Sequence, residues 1–160
     1  MDGAVDIRLM RPDEVEAAEA VLTIAFRRYL LLIMKTPEVE ENPYDYLPEA
    51  VADERSWVAV LGGKIAGAAQ VDRAGETAWK IDLVGVLPEF SGRGYGAELM
   101  ARIEVDARKR GVATLSLHTA EKATGLVRMY ESLGFQTVHK GPPPHGLDSN
   151  IRCYMEKTLS

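Results

Sequence analysis

Six residues near the middle of the chain, Ser91-Gly92-Arg93-Gly94-Tyr95-Gly96, stand between a mostly apolar run, Ile81–Phe90, and a segment with helical periodicity that ends at Gly111. A glycine turn that opens a helix is a cradle for an anion. Gly92, Gly94 and Gly96 let the backbone approach a ligand closely and take conformations that a side chain forbids. The free N–H groups of the first helical turn and the positive end of the helix dipole favour an anion by ~0.3–1 kcal/mol, more where the site is partly buried. A phosphate-bearing ligand is therefore the first expectation.

Four other side chains have types suited to proton transfer. Lys80 and Asp82 lie two apart on one strand and so share a face. His118 ends a later strand, and its intrinsic pKa of ~6.5 suits a base near neutrality. A hydrogen-bonded histidine at a strand end is the plainer alternative for it. Tyr130 lies on a helix, where an amphipathic surface tyrosine is equally compatible with the local pattern. Cys153 alternates with Ile151 and Met155 and reads as a core thiol. His145 and Asp148 share a turn-rich loop, but two mixed ligands do not make a metal site, and no metal is expected.

These residues need elements to hold them. Val5–Leu9 reads as a strand. Pro12-Asp13-Glu14 reads as a helix start with Asp13 as N-cap and Glu16 completing a capping box, and Val15, Ala18, Leu22, Ala25 and Phe26 carry that helix to about Leu30. Periodicity stops in the acidic, proline-bearing stretch Pro37–Pro48, and Leu47–Asp53 reads as a short helix. Trp57–Leu61 and Lys64–Arg73 form a hairpin around Gly62-Gly63, followed by a turn at Ala74-Gly75-Glu76 and the strand Ala78–Val86. The helix after the glycine turn buries Leu99, Met100, Ile103 and Ala107. Its exposed pairs would be Glu98 with Arg102, Glu104 with Arg108 and Asp106 with Arg110. Val112–His118 is the next strand, Thr124–Leu133 a helix ended by Gly134, and Phe135–Lys140 with Ile151–Lys157 a final strand pair. Ile81–Leu117 is a strand–helix–strand crossover, so its strands should run parallel.

The chain has 160 residues, 46% hydrophobic and 27% charged, which suits one mixed α+β domain over 1–160. Nineteen basic residues against 24 acidic ones leave a net charge of -5, so nucleic acid is not an expected partner. The longest apolar run, Tyr29–Met34, is too short to span a bilayer, and no secretory signal precedes it. One cysteine excludes an internal disulfide. No membrane partner and a cytoplasmic location are expected.

Two common phosphate sites fit poorly. No Gly-Lys-Ser/Thr follows the glycines, so a Walker loop is excluded. Gly92-x-Gly94-x-x-Ala97 meets the loose dinucleotide pattern. Leu87–Ser91 nevertheless separates the turn from its strand, and the following strand ends Leu117-His118-Thr119 without a carboxylate to hold a ribose.

Leu83, Val86 and Pro88, followed by Arg93, Gly94 and Gly96, resemble the acetyl-CoA-binding motif of the GNAT N-acetyltransferase superfamily. Arg128-Met129-Tyr130-Glu131-Ser132-Leu133-Gly134-Phe135 is similar to that family's Leu-Tyr-Glu-x-x-Gly-Phe signature. Both occur in order between Lys80 and Phe135. The resemblance implies a GNAT-like, mostly antiparallel sheet of six to seven strands flanked by about four helices, with central parallel strands splayed at the cofactor site. It implies acetyl-CoA as co-substrate. The amides of Ser91, Gly92, Arg93, Gly94, Tyr95, Gly96 and Ala97 would hold the pyrophosphate, and backbone groups of Val84, Gly85 and Val86 would pair with the pantetheine arm. Tyr130 would protonate the departing thiolate. The family often begins its turn with Gln or Arg, where this chain has Ser91. It also often has Asn seven residues before the tyrosine, where this chain has Ala123, with Thr124 the nearest replacement.

The expected reaction is direct transfer of acetyl to a primary amine. Deprotonating a lysine-like amine of pKa ~10.4 at pH 7 costs about 4–5 kcal/mol, an α-amine near ~7.8 only about 1. Asp82 and His118 are the candidate bases, and Lys80 is a candidate substrate contact. Lys80 and Asp82 match positions that carry bases in some related enzymes, and His118 matches a catalytic glutamate position in relatives that acetylate protein N-termini. The acceptor would be a small-molecule or peptide amine, walled by Tyr29–Tyr46, including Tyr29 and Tyr44, and by Lys140–Asn150, including His145. Glu38, Glu40, Glu41 and Asp45 would attract a cation, or simply form a solvated face. A homodimer is common among similar enzymes. A catalytically inactive acyl-CoA sensor of the same fold is the alternative function.

Overall fold

The computed structural model describes residues 4–33, 47–143 and 150–159. Among these residues seven strands form one sheet in the order β1-β2-β3-β4-β5-β7-β6. They are β1 (Asp6–Leu9), β2 (Ser56–Leu61), β3 (Lys64–Gly75), β4 (Ala78–Val86), β5 (Thr114–Ala120), β6 (Gln136–Gly141) and β7 (Arg152–Thr158), with helices α1 (Val15–Ile33), α2 (Leu47–Ala52), α3 (Tyr95–Lys109) and α4 (Thr124–Ser132). Every strand pairing is antiparallel except β4 with β5, which are parallel as their crossover connection requires.

Alternation along the strands sorts side chains onto two faces. Trp57, Ala69, Val71, Trp79, Ile81, Leu115 and Leu117 meet Leu99, Ile103 and Tyr130 of α3 and α4 in the larger core. Val58 and Ala68 meet Ala18, Leu22, Leu47 and Val51 of α1 and α2 on the other face. Cys153 is buried in the larger core, the expected place for an inert thiol. Among the described residues no helix is long and apolar enough to cross a membrane.

Several local details differ from expectation. Pro12–Glu14 forms a 3-10 turn, and Glu14 rather than Glu16 caps, accepting from the Arg11 N–H at 2.8 Å. Asp13 is therefore not the N-cap. Glu14 is held there because Arg8 of β1 also donates to both its oxygens, at 2.8 and 2.7 Å. On α3 the Glu104–Arg108 pair forms at 3.1 Å, but Arg102 turns toward Asp106 at 3.1 Å rather than to Glu98. Asp106 is claimed by the indole N–H of Trp57 at 2.8 Å, and Arg110 instead lies over the Trp79 ring at 5.0 Å. Strand β5 starts two residues late because Val112 N–H still donates to Ala107 at the end of α3. It continues to Ala120, where β7 pairs with it at Arg152.

Candidate active site

The site begins where the two parallel strands part. Among the described residues β4 and β5 are joined at Ala78–Thr114, Trp79–Leu115 and Lys80–Ser116, and at no later pair. β5 follows β7 to its end, while β4 follows β3 to Val86. The β4 edge facing β5 is thus left without a strand partner beyond Lys80, and an open edge is a template for one more extended chain.

Strand β4 carries a bulge in this stretch. Gln70 pairs with Leu83 and Val71 with Ile81, which leaves Asp82 as the extra residue. The bulge exchanges the faces: Trp79 and Ile81 before it, and Val84 and Val86 after it, all meet the α3 core. Lys80 and Asp82 do share a face, with Lys80 Nζ 3.5 Å from Asp82 Oδ1. Asp82 keeps only 13% of its side chain exposed, against 41% for Lys80. Burial pushes the Asp82 pKa up, Lys80 pulls it back, and the Asp72 carboxylate raises it again. The net direction is upward, the direction that makes a carboxylate a better base.

Gly85 has a packing role. A Cβ there would stand 2.7 Å from Ala25 Cβ, so only glycine lets α1 lie this close to β4.

A 3-10 turn, Pro88–Phe90, separates β4 from the glycine turn. Gly92 and Gly94 have φ of 79° and 83°, in the left-handed region that favours glycine. Gly96 is an ordinary helical residue, so its expected conformational role is not needed. The first bond of α3 runs from Glu98 N–H to Gly94 at 3.0 Å, which leaves the amides of Tyr95, Gly96 and Ala97 pointing out of the helix end. The Ser91 N–H is already committed to Pro88 at 3.1 Å. A Cβ built on Gly92 or Gly94 meets nothing within 4 Å, so the space in front of the turn is open. Backbone donors, a helix N-terminus and open space fit a diphosphate.

One residue at this turn escaped the sequence reading. Arg28 of α1 donates from Nη1 to Ser91 Oγ at 3.3 Å, bringing a guanidinium beside the glycine turn. The adjacent pair Arg27-Arg28 in an otherwise apolar stretch was the available signal.

Tyr130 is buried on α4, with its ring edge against Phe135 at 6.1 Å between centroids. Burial, with a smaller contribution from nearby Tyr29, pushes its pKa up to about 12. The Tyr29 hydroxyl accepts from the Ala120 N–H at 2.9 Å, so this expected wall residue also fixes the end of β5. Thr124 is exposed at the first position of α4, whose N-cap Ala123 provides no side-chain cap. His118 lies on β5 two residues after Ser116, on the same face as Lys80 and Asp82 but on the opposite wall of the notch. Its ring lies 5.5 Å from that of Tyr154. Tyr44, His145, Asp148 and the acidic residues Glu38–Asp45 fall outside the described residues. Among the described residues no three His, Cys, Asp or Glu side chains converge as metal ligands would.

Comparison with known proteins adds to this geometry. The Acetyltransferase (GNAT) family matches residues 19–135. An acetyltransferase of Pectobacterium atrosepticum is 31% identical over 135 residues, covering 84% of this chain and 89% of that protein. An N-alpha-acetyltransferase of Mycobacterium tuberculosis is 34% identical over 80 residues, 48% of this chain and 49% of the relative. An N-acetyltransferase of Thermoplasma acidophilum, solved in complex with coenzyme A, shares the fold with a TM-score of 0.77 at 16% identity, covering 98% of this chain and 100% of that one.

Proposed function

Since the chain belongs to the GNAT acetyltransferase family, we propose that it passes the acetyl group of acetyl-CoA directly to a primary amine in a ternary complex. The observation that carries this reading is the parting of β4 and β5 beside an open glycine turn, with Tyr130 buried on α4 in the core that Val84 and Val86 also face. Bound acetyl-CoA supplies an activated thioester whose leaving thiol has a pKa of ~8.5. The amides from Gly92 to Ala97 hold its diphosphate, and the free edge at Val84 and Val86 aligns the arm by main-chain hydrogen bonds. Tyr130 donates its proton as the thiolate departs. Asp82 removes the proton from the incoming amine, directly or through a water, and Lys80 and Tyr29 line the acceptor side.

An assay of thiol release over polyamines, amino sugars, amino acids and peptide N-termini tests the reaction. Release matched by acetylation of one amine class is expected. Tight acetyl-CoA binding without release for any amine would instead make the protein a sensor.

Two variants follow from the geometry. Arg28→Ala should raise KM for acetyl-CoA about three- to tenfold and leave kcat unchanged, because one exposed charge-assisted contact to phosphate contributes on the order of 1 kcal/mol. A shift in kcat alone would move Arg28 out of the binding role. Asp82→Asn should lower kcat by about a hundredfold and remove the acidic limb of the pH–rate profile. His118→Ala is the control on the opposite wall. If His118 is the base instead, its loss lowers turnover more at neutral than at alkaline pH while Asp82→Asn keeps its acidic limb.

A further inference from the structure

A row of polar side chains crosses three adjacent strands on the α1 face and has no part in the chemistry above. Ser56 of β2 pairs with Gln70 of β3, and Gln70 pairs with Leu83, next to the bulged Asp82 of β4. Ser56 is 1% and Gln70 0% exposed. Neither Ser56 Oγ nor Nε2 and Oε1 of Gln70 has a hydrogen-bond partner among the described residues. Leaving a buried amide in this state destabilises the fold, whereas an apolar side chain of the same shape would be nearly neutral or stabilising. The neighbours of Gln70 along β3 show how unusual it is there, for Ala66, Ala68, Ala69 and Val71 are all apolar and buried.

We propose that Gln70, backed by Ser56, is the positioning residue for the Asp82 carboxyl in both of its protonation states. The amide NH2 donates to the carboxylate when Asp82 is ready to receive a proton. The amide C=O accepts from the carboxylic acid once the proton has arrived. The Ser56 hydroxyl, on the far side of Gln70, can accept or donate and so follows either arrangement. Asp82, the extra residue of the bulge, stands beside Leu83, the partner of Gln70, so its side chain borders this row. The role rests on the reading of Asp82 as the base.

The other groups around Asp82 cannot do the same work. Lys80, 3.5 Å away on the same strand, stabilises the charged form alone. Asp72 on β3 opposes charge on Asp82 and is itself drawn toward Arg55, 3.7 Å away. From α1, Leu22 and Ala25, both apolar, lie nearest Gly85, three residues further along β4. His118 stands across the notch on β5. Gln70 is close enough to Asp82 to hold its pKa down against the effect of burial.

The test replaces the amide by a thioether of similar volume. Gln70→Met should fold and melt at or above the wild-type temperature, because it removes unsatisfied buried polar atoms. Titration of the Asp82 carboxyl by carbon-13 NMR, assigned with Asp82→Asn, should move to higher pH. The acidic limb of kcat should move with it, with about a tenfold loss of kcat on that limb and an unchanged KM for acetyl-CoA. Ser56→Ala, a smaller excision from the same row, should shift both readouts in the same direction and by less. An Asp82 titration and an acidic limb that stay in place in both variants would overturn the proposal and leave Gln70 a packing residue. If Asp82→Asn turns over like wild type, the base assignment fails first and the positioning role fails with it. The NMR titration separates these outcomes because it needs no acceptor.

Discussion

Tyr130→Phe is expected to lower kcat by about 10²–10⁴-fold, the range for loss of a positioned general acid, with KM for acetyl-CoA changed less than about twofold. The substitution keeps the ring that packs edge-on against Phe135, so the fold should survive it. The phenol is buried, and its pKa is pushed up to about 12, so it holds its proton throughout the neutral range. A donor of that pKa is a weak acid toward a thiolate in water. In the same dry surroundings the departing thiolate is destabilised as well, which keeps donor and acceptor matched. Tyr130 should therefore add no alkaline limb to the pH–rate profile below about pH 11, and any limb seen there belongs to the amine or the base. Wild-type kcat in Tyr130→Phe would remove Tyr130 from the chemistry.

Gly96→Asp separates binding from folding. Gly96 has an ordinary helical backbone, and a Cβ there meets only Val86 Cγ2, at 4.0 Å. An acidic residue in the first turn of a helix is favoured by the dipole, so the melting temperature should hold or rise slightly. The new carboxylate would point among the amides of Tyr95, Gly96 and Ala97, competing for their donors and repelling a diphosphate. Affinity for acetyl-CoA should fall about a hundredfold or more, equivalent to ~2.7 kcal/mol. Calorimetric titration of the variant measures it. Unchanged affinity would place the diphosphate somewhere other than this helix end.

The parts of the fold that were legible in the sequence are those fixed by local rules. Glycines at both ends of α3, a continuous apolar stripe and a strand on each side identify the crossover without reference to any other part of the chain. The errors arose where distant residues decide. Glu14 became the cap because Arg8, on a different element, holds its carboxylate. Asp106 is shared by Arg102 and by Trp57 of β2, a residue 49 positions away, both donating to its carboxylate. The bulge at Asp82 depends on the register with β3, which the composition of β4 does not reveal. Arg28 reaches Ser91 across 63 positions of sequence, so no local spacing could connect them. The site followed the same division: the glycine turn and Tyr130 stand in recognisable motifs, whereas Gln70 was marked only as a polar residue inside an apolar strand.

The most direct test is a titration of nitrogen-15-labelled protein with acetyl-CoA, following backbone amides by NMR. The largest downfield shifts should appear together at Gly92, Gly94, Tyr95, Gly96 and Ala97, saturating at one concentration, and should vanish in Gly96→Asp. Saturable binding that leaves those five amides unmoved would contradict the account.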